Sequence, residues 1–365
     1  MEVVSILLVI LAFFLIILFH EFGHYLGCRI VNVKVEEFSI GLGKEIWSKK
    51  IGETKYTLRL LPIGGYVLPE GEEYKKDQPL SETNFYSKPL WARFIVIVLG
   101  PIFNYIFALL IFLLVFSFYD YKVTTEIMMV VNNTPAQKAG LKAGDIITQI
   151  DSISFGYYEG KKLIEYIHNS KGKLLNITIK RGTQTITYRI LPEYNAQQNF
   201  YYIGFNPKKS LVIEFNFLRG VRESIFTTYD LTVRYLKVIV SIFTGHIPLK
   251  TVYEQSAGPI GITKIMYDFA NQGIYNYLML VGFINIVIGL FNLLPFPALD
   301  GGRILFIGIN YILGMLSLLF NRKIEITPDK EEMFHKVGLV LLLVFVAIVS
   351  YNDIARIIRG ESFIK

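Results

Sequence analysis

The sequence has a single cysteine among 365 residues, and charged side chains make up only 18% of it. A lone Cys28 excludes an internal disulfide and any zinc site built on clustered cysteines. It follows directly on an apolar run, so it reads as a small packed hydrophobe, with ligation left to geometry. The scarcity of charge sits beside 52% hydrophobic and 15% aromatic residues, which argues against a wholly soluble protein. With a mean hydropathy of +0.43, the balance suits a polytopic membrane protein with a soluble insert. The net charge of +7 comes without any dense run of Lys and Arg. Nucleic acid is therefore not expected as a partner, whereas dispersed basic residues beside apolar spans suit membrane lipid headgroups.

Signal-peptide features are also missing. Val3 to Phe19 is apolar apart from Ser5, but Glu2 stands where a signal would carry Lys or Arg, and no small-x-small cleavage site follows. The run leads straight into His20, so it is expected to be a retained membrane helix. Phe94 to Phe118 carries no charge over a length that spans a bilayer. Tyr277 to Pro295 and Val337 to Tyr351 are further candidates, the last needing its flanks to complete a span. Ile304 to Phe320 is apolar but near the lower limit, and reads as a span, an extension of the third helix, or a surface segment. Four spans would put both termini on one side, and five would separate them.

Between the first two spans, Val33 to Val35 and Tyr56 to Leu60 read as strands, and Gly64-Gly65 as a turn into Tyr66-Val67-Leu68. Gly41 and Gly43 mark a turn or a close backbone approach. The segment is either a small surface hairpin or a β-layer beside a functional site, offering a strand edge to a peptide. Tyr121 to Pro207 reads as one compact β-rich unit. Its Ala-x-x-Ala-Gly-Leu-x-x-Gly-Asp-x-Ile string, Ala136 to Ile147, resembles a PDZ domain, and Ile203-Gly204-Phe205 resembles the carboxylate-binding loop of that fold. Such domains take peptide C-termini by strand addition. From Leu218 to Gly245, apolar residues recur at helical spacing between charged ones, as in an interfacial or core-covering helix.

His20-Glu21-Phe22-Gly23-His24 carries the chemistry. On a helix, the two histidines project from one face a turn apart and can share one ion, with Glu21 beside them as a base. Zinc held this way lowers the pKa of bound water towards about 7. Two accidental surface histidines are the plainer alternative, but ionisable groups are costly in an apolar span and usually functional there. A catalytic zinc needs a third protein ligand. His168, His246 and His335 read as ordinary polar or headgroup contacts. Asp300 is the better candidate, because first and third spans running the same way bring His20 and Asp300 to one membrane face. A helix cap or a partner for Arg303 is the alternative for Asp300, and neither explains the surrounding prolines and glycines.

The His-Glu-Phe-Gly-His triplet, the string from Asn292 to Arg303 (Asn-Leu-Leu-Pro-Phe-Pro-Ala-Leu-Asp-Gly-Gly-Arg) and the PDZ-like insert together resemble the site-2 protease family of intramembrane zinc metalloproteases. The bacterial regulator-of-sigma-E protease branch is the most similar. Leu60 to Val67, Lys88 to Arg93 and Gly100-Pro101-Ile102-Phe103-Asn104 resemble that branch too, in the same order. The resemblance implies zinc ligands at His20, His24 and Asp300, and Glu21 as catalytic base. It implies that Asn292 contacts the substrate backbone or a developing oxyanion, although an amide there can also tie helices together. Gly64 and Gly65 on the strand layer and Gly204 in the insert are further substrate-binding candidates. Implied substrates are single-span membrane proteins, such as anti-sigma factors or remnant signal peptides, cut inside the bilayer. The implied location is the bacterial inner membrane, with the PDZ-like domain on the outer side. A membrane-anchored zinc protease cutting soluble peptides and a non-enzymatic PDZ membrane scaffold are the rivals, and an intact Glu21 weighs against the scaffold.

The expected architecture is a polytopic α-helical membrane protein of about four transmembrane helices, with a membrane-associated β-hairpin layer and one inserted PDZ-like domain. Its expected parts are a first span with the zinc motif (1–28), a Gly-rich β-layer (29–91), a second span (92–118) and the PDZ-like domain (121–208). An amphipathic segment (209–275), a third span carrying Asp300 (276–303), an extension or loop (304–334) and a fourth span (335–358) follow. Two features depart from the family pattern: one PDZ-like unit where some relatives carry two, and an unusually apolar stretch at 304–320.

Overall fold

The structure is a computed structural model that describes residues 2–71, 81–248, 250–251, 256–322 and 324–363. The chain forms two compact units, one from Met1–Phe116 with Phe217–Lys365 and one from Ser117–Asn216.

In the first unit, helix α1 (Glu2–Ile30) buries Ser5, Val9, Ala12, Ile16, Gly23 and Gly27. The steps of three, four and seven residues place them on one helical stripe. Small residues on that stripe let α2 (Leu90–Phe118) approach closely: a Cβ on Gly23 would lie 2.2 Å from the Leu99 carbonyl oxygen, and one on Gly27 2.7 Å from Val96 Cα.

After α1 the chain enters an antiparallel hairpin of β1 (Val35–Ile51) and β2 (Thr54–Pro69). Both strands are bent, with positive φ at Gly41, Gly43 and Gly64. As a result Glu37–Ile40 has partners on both sides, Lys55–Leu58 and Gly65–Leu68. Gly64 and Gly65, expected as a turn, lie inside β2 instead, because the left-handed φ of Gly64 bends the strand without ending it. Val35, Phe38 and Val67 of this layer pack into a core with Cys28, Val96 and Ile97, so Cys28 is fully buried.

The other helices of this unit are α5 (Phe217–Phe243), α6 (Pro259–Asn271), α7 (Ile274–Asn292), α8 (Asp300–Phe320) and α9 (Pro328–Ile358). Helix α5 sets Tyr235 against Phe283 of α7 and leaves Ile225, Phe226 and Tyr229 exposed. Asp353 of α9, fully buried, accepts the Gly258 and Gly261 N–H groups at the start of α6.

The third span, expected over 276–303, ends at Asn292, and Asp300 opens the next helix. Leu294 and Phe296 each precede a proline, which disfavours helical backbone, and Pro295 and Pro297 have no N–H to continue the ladder. Residues expected as an extension or loop (304–334) are helical to Phe320. Among the described residues, five helices (α1, α2, α7, α8 and α9) are thus long and apolar enough to cross a membrane, where about four were expected. Leu318 and Leu319 of α8 are 86% and 77% exposed. Uncovered apolar surface on that scale is stable against lipid rather than water. The expected segments 29–91, 209–275 and 304–334 each include residues outside the described ones.

The second unit is a sheet in the order β10 (Phe205–Ile213), β3 (Tyr119–Val130), β4 (Ile146–Ile150), β6 (Leu175–Arg181), β7 (Gln184–Ile190), with β5 (Ile153–Ser154) paired to β4. Two helices, α3 (Pro135–Ala139) and α4 (Gly160–His168), and a small hairpin of β8 (Glu193–Asn195) and β9 (Phe200–Tyr202) complete it. Leu175, Ile177 and Ile179 alternate with polar residues and face a core that includes Ile127, Ile147 and Leu163. Asp145, 1% exposed, takes the Arg181 guanidinium at 2.7 and 2.8 Å and the Lys142 N–H at 2.8 Å. Burial alone would raise its carboxyl pKa, but Arg181 and the Lys142 amide outweigh that and hold it below the ordinary carboxylate range.

Candidate metal centre

One turn of α1 separates His20 from His24, and their Nε2 atoms come within 3.3 Å of each other. Asp300 Oδ2 lies 3.3 Å from Nε2 of His20 and 3.4 Å from Nε2 of His24. For zinc–ligand bonds of about 2.0–2.1 Å, a tetrahedron has edges of about 3.3–3.4 Å. The three measured separations are therefore those of one face of such a tetrahedron. Asp300 Oδ2 is buried without a hydrogen-bond partner, as suits an oxygen reserved for an ion.

The histidines are aimed from behind by α2. His24 Nδ1 donates to the Val96 carbonyl at 2.9 Å, and His20 Nδ1 pairs with Asn104 Oδ1 at 2.9 Å. A carbonyl oxygen can only accept, so both Nδ1 atoms carry the proton and both Nε2 lone pairs face inward. Gly100 makes room for this, since a Cβ there would lie 2.3 Å from His24 Nε2. Asn104 is fully buried. Its role escaped the sequence reading; the signal was a lone amide within the uncharged Phe94–Phe118 run.

Asp300 reaches the histidines because the chain folds back between α7 and α8. Leu293 and Leu294 close the end of α7 with turn hydrogen bonds, and Leu299 N–H returns to the Phe296 carbonyl. Gly301 and Gly302 then pack on that loop: Cβ atoms there would lie 2.0 Å from the Leu294 oxygen and 2.5 Å from the Phe296 oxygen. Only glycine fits at either position.

The three side chains open onto a cleft of about 300 Å³ that Glu21, Gly65, Tyr66 and Asn292 also line. Glu21 is buried, and a Cβ on Gly65 would lie 3.1 Å from its Cγ. Gly65–Pro69 thus brings strand backbone alongside the Glu21 carboxylate. Gly64 instead faces Leu42 and does not line the cleft. Gly204 belongs to the second unit, where its left-handed backbone closes on Thr134 and its carbonyl accepts the Val131 N–H. His168 stacks on Phe200, His246 pairs with Thr244, and His335 accepts the Ala298 N–H. Among the described residues, His20, His24 and Asp300 form the group close enough to share one ion.

Comparison with known proteins gives concordant findings. The sequence profile described as Peptidase family M50 matches residues 8–345. A protein of Clostridium acetobutylicum named a zinc metalloprotease is 32% identical, covering 97% of this chain and 98% of its own length. The regulator of sigma-W protease RasP of Bacillus subtilis is 27% identical over 98% of this chain and all of its own length, 100%. Among solved structures, the PDZ domain of an SdrC-like protein from Listeria monocytogenes is 30% identical, covering 24% of this chain and 90% of that domain, with a TM-score of 0.21.

Proposed function

The chain belongs to peptidase family M50, the site-2 protease family, and from that premise we propose that it cuts single-span membrane proteins within their transmembrane segments. It is a zinc metalloendopeptidase and a membrane protein. The observation that carries the proposal is the cleft itself, which joins a tetrahedral-edge ligand set, a buried carboxylate and a strand edge at the ends of apolar helices.

In this reading His20, His24 and Asp300 hold the zinc. Bound there, zinc supplies Lewis acidity, lowering the pKa of a water to near about 7 and polarising the scissile carbonyl. Glu21, buried beside these ligands, would take a proton from the attacking water and return it to the leaving amine. Asn292, at the end of α7 on the cleft wall, donates to the substrate backbone or to the charge that develops on its carbonyl. Helical peptide bonds are shielded by their own ladder, so the substrate must be extended to be cut. Gly65–Leu68 pairs with Glu37–Ile40 on one side, and among the described residues its other side has no strand partner. That edge offers backbone hydrogen bonds to an unwound segment, with Gly65 giving the closest approach.

Within that substrate class, anti-sigma factors and remnant signal peptides are the candidates. The second unit, on the outer side of the bacterial inner membrane, receives peptide C-termini at the Gly204 loop. A Glu21→Gln protein in the native membrane tests the reading. It should retain zinc and accumulate uncut substrate, while the wild type releases products whose new termini, by mass spectrometry, lie inside the apolar segment. Cleavage by Glu21→Gln at the wild-type rate, or new termini confined to the soluble flanks, would overturn it.

A further inference from the structure

Ala298, two residues before Asp300, has a left-handed backbone with φ +72°. An alanine holds that conformation only where its surroundings impose it. Here the surroundings are α9. The Ala298 N–H donates to Nδ1 of His335 at 3.1 Å. Three residues on, Gly338 lies against Pro297, so closely that a Cβ at 338 would fall 1.9 Å from the Pro297 Cβ. A Cβ on Gly302 would come within 3.0 Å of the His335 ring, and Phe306 and Phe334 flank that ring at 5.9 and 6.0 Å. Ala298 lines both the metal cleft and a second cleft of about 260 Å³ that His335 lines, so His335 stands behind the loop that carries Asp300.

Helix α9 is itself fixed to the helix that aims the histidines. Arg93 of α2 meets Glu331 of α9 at 3.3 Å, with side chains 8% and 3% exposed, and its guanidinium lies 4.6 Å from the Tyr86 ring centre. Glu331 is one helical turn before His335. The carboxylate side of the metal centre and the imidazole side are thus braced through one element. We propose that His335 is a positioning residue: by accepting the Ala298 N–H it sets the loop that presents the Asp300 carboxylate to zinc. The proposal rests on the reading of His20, His24 and Asp300 as zinc ligands.

The test uses the full-length protein and a chromophoric chelator competing for zinc, with steady-state cleavage alongside. Removing an outer-shell partner typically costs about 10–100-fold in metal affinity. His335→Leu should lose affinity in that range and lower kcat, with KM for the same substrate little changed. His335→Asn places its amide oxygen where Nδ1 stands and should restore most of both. The zinc-free proteins should all melt at the same temperature. If His335→Leu does not fold, His335→Gln, whose oxygen lies one methylene further out, replaces it in the comparison. Wild-type zinc affinity in His335→Leu would overturn the proposal, as would His335→Asn no better than His335→Leu. A zinc-free His335→Leu as destabilised as the loaded form would also overturn it, since that marks a purely structural role. Asp300→Asn separates the two readings. If it also binds zinc like the wild type, the ligand assignment fails; if it alone loses zinc, only the role of His335 fails.

Discussion

The side-chain oxygen of Asn104 sits 2.9 Å from Nδ1 of His20, at a fully buried position in the middle of an apolar helix. An amide is costly to bury among aliphatic side chains unless it is paired. Its oxygen is paired with the rear nitrogen of a zinc-ligand candidate while its Nδ2 stays unpaired, so the burial orients the imidazole at the cost of one unsatisfied donor.

Asn104→Leu keeps the volume and removes the acceptor. We expect zinc affinity to fall about 10–100-fold, measured by chelator competition. Asn104→Asp, which keeps an acceptor in place, should bind zinc at least as well as the wild type. Unchanged affinity in Asn104→Leu would show that the hydrogen bond does not orient His20.

Gly65 gives a second prediction, which separates catalysis from metal binding. An added methyl would lie 2.8 Å from the Ser39 carbonyl, 2.9 Å from Ile17 Cγ2 and 3.1 Å from Glu21 Cγ. The strand edge and the Glu21 side chain cannot both keep their positions. A displacement near 1 Å costs about 100-fold in rate. Gly65→Ala should therefore retain stoichiometric zinc by elemental analysis while kcat drops on that order. Wild-type kcat in Gly65→Ala would contradict the placement of Gly65 beside Glu21.

The second unit should respond to acid through Asp145. Its folded-state pKa is lowered, so its contribution to stability is fully present above the unfolded carboxylate value, about 3.9, and is lost as pH falls through the folded value. Asp145→Asn should lower the melting temperature of this unit by at least about 5 °C at neutral pH and reduce the loss of stability below pH about 4. Hydrogen exchange on the β3–β4–β6 amides of the full-length protein reads this locally. An acid response identical in wild type and variant would rule out Asp145 as its origin.

Much of the site was legible because it is local. His20, Glu21 and His24 need only helical periodicity to share a face, and an ionisable triplet at the end of an apolar run is conspicuous. The Asn292–Arg303 string pointed to Asp300 as their partner, but its prolines were read as part of a helix. In the structure they end it, and the glycines that a simple cap left unexplained are the contacts that seat Asp300. Gly64 and Gly65 show the same limit. Glycine marks a backbone departure without saying whether the strand stops or bends. Asn104 and His335 were each visible as polar residues in or beside apolar runs. Their partners lie 84 and 37 residues away in sequence, on another helix and in the loop before Asp300.

What the sequence determined by itself was chemistry and medium: two histidines and a glutamate within about one helical turn, set in helices too apolar for water. Those properties depend on residue type and on spacings within one turn. What only the tertiary structure decided was which nitrogen each histidine presents, how a carboxylate at residue 300 comes within 3.4 Å of both histidines, and which strand edge borders Glu21. Each depends on how separate elements pack, through glycines too small to hold helices and loops apart and hydrogen bonds that join distant positions. A local pattern can nominate such groups, but only packing fixes their separations.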